Sequence, residues 1–205
     1  MSNEVFEILR IMDQRNLELQ FVLQCAPTIA GLKTSNLFIV KRECEREVEK
    51  LLRRTGLMYY RLVYDRSRVV FLVFNREMLM EYLGKRENAN FLALMGYENV
   101  EFSYVLKTFK ERYADYIVNR DEFPHEMGLF LGYPLEDVVG FIENEGMNAL
   151  FSGYWKVYSN PKLTEKLFVR FDKVKEDMIV RLSSREKIDS IVSFYKNDAQ
   201  EKRAV

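Results

Sequence analysis

"LMYYRLVYDRSRVVFLVFN", residues 57–75, decides the fold class. Two runs rich in aromatic and β-branched residues flank Asp65–Ser67, which is the composition of a β-hairpin closed by a short turn. Alternation of apolar and polar residues along both runs is imperfect, so the strands are expected to be partly buried on both faces. Just upstream, "NLFIV" (36–40) reads as another short strand. "KRECEREVEKLLRRTG" (41–56) then reads as a charged helix with Val48, Leu51 and Leu52 inward and Gly56 as its stop.

Further out, the pattern is helical. "NEVFEILRIMDQRNLELQFVLQ" (3–24) predicts one amphipathic helix ended by Pro27, because the residue before a proline is pushed out of the helical region. "APTIAGLK" (26–33) reads as a turn or a short helix opened by Pro27 and left at Gly31. Downstream, helix is predicted from "REMLMEYLG" (76–84) through "VLKTFKERYADYIVNR" (105–120), broken near Gly84 and Gly96. Two consecutive helices follow in "EFPHEMGLFLG" (122–132) and "PLEDVVGFIENEG" (134–146), started by Pro124 and Pro134 and left at Gly132 and Gly146. "SGYWKVYS" (152–159) reads as a last strand, and Asn160 as the cap of a helix running from Pro161 to about Leu182. The expected fold is α+β, with a small and mostly antiparallel sheet covered by helices and a predominantly helical C-terminal half. Residues 1–182 form the expected single domain, and 183–205 a charged helical extension.

Composition narrows the function classes. The 205 residues hold 31 basic and 31 acidic side chains, with 48% apolar residues. A balanced chain has no global field for nucleic acid, and no basic arm stands out. The N-terminal stretch is charged and amphipathic, lacks the pattern of a signal peptide, and no apolar run approaches a membrane span. Two cysteines without CxxC spacing suit a reducing compartment. A cytoplasmic protein with no nucleic-acid partner and no membrane span is expected.

Three stretches concentrate the chemistry. In "CAPTIAGLKTSNLF" (25–38), Cys25 would precede a short helix with Thr28, Gly31 and Lys33 nearby. A thiol so placed can ionise and act as nucleophile or ligand, whereas a small buried cysteine filling space is the plainer explanation. "GLKTS" echoes a phosphate loop, but only one glycine of that motif is present. "FPHEMGLFLGYPLEDVVGFIENEG" (123–146) holds the only histidine, His125, with two of the four prolines and four of the nine glycines. Read as second residue of a helix, His125 lies near free amides that favour an uncharged ring, able to serve as base, ligand or hydrogen-bond link. Glu126 would orient it; a backbone-bonded histidine is the structural alternative. Glu136 and Asp137 are explained by the first turn of the next helix. In "GYWKVYSNP" (153–161), Tyr154 and Trp155 could stack on a flavin, a haem or a base with Lys156 as charge partner, or simply form core. A single histidine excludes a histidine-rich metal set, and no metal site is expected.

Together these stretches resemble an uncharacterised family of small bacterial proteins, common in anaerobes and known only as a domain of unknown function. Its marks are a Cys-Ala-Pro segment continuing to Gly31 and Lys33, a His-Glu-x-Gly-x-Phe-Leu-Gly-Tyr-Pro-Leu-Glu-Asp-Val segment, and a Gly-Tyr-Trp-Lys-Val-Tyr segment. The resemblance reaches about residue 180, and the charged tail after Arg181 is where this chain departs from it. No activity or cofactor comes with it. It implies a setting in redox or iron physiology, because such genes lie near flavodoxin-like and ferrous-iron-uptake genes.

Three functions follow. The first is a binding module for a small molecule or an electron-carrier protein, with Thr28, Gly31, Lys33, Tyr133, Tyr154, Trp155 and Lys156 as the ligand-binding set. The second is a thiol enzyme using Cys25, His125 and Glu126. The third is a structural or interaction domain. The first two require the three stretches to share one hollow.

Overall fold

The computed structural model describes residues 2–98, 101–119 and 123–204. In chain order the first half comprises α1 (Asn3–Ile11), α2 (Leu17–Ile29), β1 (Ser35–Lys41), α3 (Glu45–Thr55), β2 (Met58–Tyr64), β3 (Arg68–Phe74), α4 (Arg76–Leu83) and α5 (Arg86–Leu94). The second half comprises α6 (Phe102–Asn119), α7 (Met127–Phe130), α8 (Leu135–Glu143), β4 (Phe151–Ser152), β5 (Lys156–Val157), α9 (Pro161–Ser183) and α10 (Ile188–Ala204). The fold is α+β, as the hairpin sequence predicts.

β3 organises the molecule. It pairs antiparallel with β1 on one side and β2 on the other, giving the order β1-β3-β2. Every residue from Val69 to Phe74 is buried. Val69, Phe71 and Val73 enter one core with α1, α2, α3, α9 and α10, while Val70, Leu72 and Phe74 enter a second core with α4 to α8. Burial on both faces explains why this run lacks alternation. The register with β2 slips between Arg61 and Val63, where Leu62 is the extra residue of a bulge. Asp65 closes the hairpin. Its Oδ1 accepts from Ser67 N at 2.7 Å and from Arg68 N at 2.9 Å, and these two bonds draw its carboxyl down to about 2.

Four local expectations are corrected. The helix expected over 3–24 is two helices, because Asp13 and Asn16 satisfy the backbone with their own side chains. Asp13 accepts from Arg15 N at 2.9 Å, and Asn16 caps α2 by accepting from Leu19 N at 2.9 Å. Pro27 does not stop α2 but sits in its last turn. The stop is Gly31, at φ +64°, with Leu32 N donating to Pro27 O at 2.9 Å and Gly31 N to Thr28 O at 3.1 Å. Asn160 makes no side-chain cap; its left-handed backbone (φ 44°) instead turns its carbonyl to Leu163 N and Thr164 N. The single strand expected over 152–159 is a hairpin of two-residue strands with Tyr154 and Trp155 in its turn. The expected helices reaching Arg120 and starting at Glu122 have those end residues outside the described ones.

A third, small cluster joins Trp155 and Val157 to Phe168 and Phe171 of α9. The charged C-terminal extension packs on the body, since Ile188, Ile191, Val192 and Tyr195 of α10 are buried in the first core. Among the described residues no helix is long and apolar enough to cross a membrane.

Candidate functional site

The second and third sequence stretches converge on a cavity of about 190 Å³ between α7, α8 and the β4–β5 hairpin. His125, Tyr133, Phe141, Trp155 and Lys156 line it, with Asp137. The punctuation noted in the sequence positions them. Gly132, at φ +70°, ends the one-turn α7, so that Tyr133 follows as a bend into Pro134 and α8. Gly128 has no room for a side chain: a Cβ there would lie 2.6 Å from Val138 Cγ2.

Asp137 is the organising residue, and the reading of it as a helix-end charge is corrected. It is 2% exposed. Oδ2 accepts from Trp155 Nε1 at 2.7 Å, and Oδ1 from Tyr158 N at 2.8 Å, Ser159 N at 2.7 Å and Ser159 Oγ at 3.0 Å. One carboxylate therefore fixes the whole 155–159 segment against α8. A signal existed in the sequence: Asp137 shares with Val138 and Phe141 the spacing of the apolar face of α8, so one acid lies on the inner side. Glu136, its neighbour, is exposed.

Trp155 is core as much as lining. Its ring stacks on Tyr133 at 4.8 Å between centroids and meets Phe168 edge-on at 4.5 Å. No broad face remains for a haem or an isoalloxazine. Tyr154 points elsewhere: its hydroxyl donates to Asp172 Oδ1 at 2.9 Å and accepts from Lys175 Nζ at 2.8 Å, both on α9. Lys156 Nζ donates to Gly146 O at 2.6 Å and lies 5.8 Å from the Phe141 ring centre.

His125 is not the second residue of a helix. It occupies the turn before α7, between the rings of Phe123 (5.3 Å) and Phe141 (5.8 Å). Its Nδ1 is buried without a hydrogen-bond partner. Glu126 does not orient it. That carboxylate is fully buried and turns away, its Oε1 accepting from Arg112 Nε of α6 at 2.5 Å and from the OH of Tyr97, after α5, at 3.1 Å. Oε2 is buried and unpartnered.

The first stretch splits. Cys25 lies in the C-terminal half of α2, not ahead of a helix, and is 0% exposed in the first core. Burial pushes its thiol well above the ordinary range, and the charge of Lys33 offsets this only in part. Its Sγ faces Leu37 O at 3.9 Å. Alkylation of the native protein is therefore expected to modify Cys44 alone, with Cys25 reacting only in denaturant. Labelling of native Cys25 at the rate of a free thiol would contradict this placement. Thr28 and Gly31 line a separate cavity of about 320 Å³ near the start of α4, and Thr28 Oγ1 bonds Asn36 Oδ1 at 2.7 Å. Lys33 stands behind the first cavity, with Nζ 5.1 Å from the centre of the Tyr133 ring. It is 5% exposed, and burial pulls it down to about 8. Ser35 Oγ donates to Phe130 O and ties this stretch to α7.

His125, Tyr133, Trp155 and Lys156 are thus brought together, Lys33 supports them from behind, and Cys25, Thr28, Gly31, Tyr154 and Glu126 face other surroundings. Among the described residues no group of three His, Cys, Asp or Glu side chains is placed to hold a metal ion. No curated protein and no solved structure matches the chain. A family model does match, over residues 21–192, which include all three stretches: the chain belongs to the family described as protein of unknown function DUF3793.

Proposed function

We propose that the chain is a small-molecule binding module whose ligand is a single planar ring, held in the cavity at His125. The observation that carries this reading is the size and lining of that cavity. At about 190 Å³ it is near the roughly 150 Å³ of an apolar cavity that takes one benzene, and below the roughly 300–1,000 Å³ usual for drug-sized ligands. Tyr133, Phe141 and Trp155 supply ring contacts, with the His125 ring beside them. The ligand-binding set proposed is His125, Tyr133, Trp155 and Lys156, with Lys33 behind Tyr133.

The thiol-enzyme reading is the weaker one, because it needs an accessible, ionisable Cys25 beside His125. The setting in redox or iron physiology rests on the family resemblance alone.

Trp155 is the only tryptophan and lines the cavity, so its emission reports occupancy. Titration with toluene is expected to change that emission saturably while circular dichroism stays constant. An emission that does not respond up to the solubility limit of toluene would overturn the proposal.

A further inference from the structure

Resting on that ring-binding reading, we infer that the ligand carries an oxyanion, such as a carboxylate, directed to the cavity mouth at Lys156. Two side chains of opposite charge line the cavity, Asp137 and Lys156. Asp137 is buried, and its two oxygens already accept from Trp155 Nε1, Tyr158 N, Ser159 N and Ser159 Oγ. Each of its oxygens therefore already has a donor, and four donors offset its charge.

Lys156 is the opposite case. An ammonium has three N–H groups, and one of these is used on Gly146 O at 2.6 Å. Among the described residues it makes no ion pair, and Glu143 and Glu145, near the end of α8, are exposed. Lys156 is an exposed residue of β5 whose Nζ lies near the Phe141 ring. The cation thus stands at the rim of a hollow whose interior is mainly rings. A ring compound entering with its apolar body first leaves its substituent beside this ammonium. An oxyanion there gains a charge-assisted hydrogen bond, and a cationic substituent meets repulsion.

The test compares benzoate with its neutral near-isostere benzamide and with benzylamine, read by Trp155 emission at low ionic strength. Benzoate is expected to bind about fivefold tighter than benzamide, in keeping with a solvent-screened rim pair, and benzylamine weakest. Lys156→Gln is expected to abolish the preference by weakening benzoate about fivefold more than benzamide, while Lys156→Arg retains it. Equal affinity for benzoate and benzamide, or equal loss of both in Lys156→Gln, overturns the inference and leaves the ring-binding reading standing. Failure of benzoate, benzamide and toluene alike overturns that reading and this inference with it.

Discussion

Asp137→Ala is expected to destabilise the protein by about 3–5 kcal/mol, read as a lowered urea midpoint. Removing the carboxylate leaves three N–H donors, on Trp155, Tyr158 and Ser159, with no acceptor in a buried or half-buried setting. Each such orphan costs on the order of 1–3 kcal/mol. Asp137→Asn keeps the volume but presents an NH₂ group where an acceptor is needed, so it is expected to recover only part of the loss. In both variants Trp155 emission shifts to the red in the native baseline, because the indole is no longer tethered to α8. Unchanged emission with a midpoint loss under about 1 kcal/mol would mean that packing against Tyr133 and Phe168, rather than the carboxylate, holds the segment.

Lys33→Met acts in the opposite direction and carries a pH signature. Lys33 is 5% exposed and has moved from 10.5 to about 8, chiefly because burial disfavours its charged form. The folded pKa lies below the unfolded one, so the unfolded chain binds more protons between these values and stability rises with pH across that window. Below about pH 8 the penalty is present in full, on the order of 3 kcal/mol. It fades as pH rises towards 10.5. Methionine of similar length removes the charge, so Lys33→Met is expected to be more stable than the parent by about that amount at pH 7, with the gap closing by pH 10. The titratable groups facing Lys33 are the Cys25 thiol and the Tyr133 phenol. Burial raises both, Tyr133 to about 12, so both stay protonated in the native protein through this range and cancel between variants. Urea titrations of the two proteins at both pH values check this. A gap that is absent at pH 7, or that widens with pH, would contradict it.

What could be read from the sequence was local. The β1 to β3 segments declare themselves through β-branched and aromatic runs, and Gly31, Gly56 and Gly132 mark helix exits because each adopts positive φ. Local side-chain chemistry also misled: the apolar spacing over 3–24 conceals the break at Asp13 and Asn16, which compete for backbone N–H groups. The site was legible only in outline. Motif residues adjacent in sequence proved to face different surroundings, as with His125 at the cavity and Glu126 against Arg112. Nothing in a one-dimensional pattern states on which side of a sheet a helix will lie. Asp137 went unrecognised because an acid in a first helical turn already has a sufficient local explanation, while its true partners lie some twenty residues on, at Trp155, Tyr158 and Ser159.

The alternation of β3 between two cores has a consequence for how this family can vary. Phe71 and Leu72 are chain neighbours, yet their side chains join separate apolar clusters divided by the sheet. Substitutions confined to the two faces of β3 meet different side chains, so their energetic effects are expected to combine as near-independent sums. The aromatic hollow is less separate, because Leu32 packs on both the first core and the Trp155 cluster, so residue sizes around the hollow are tied to the layer that seals Cys25.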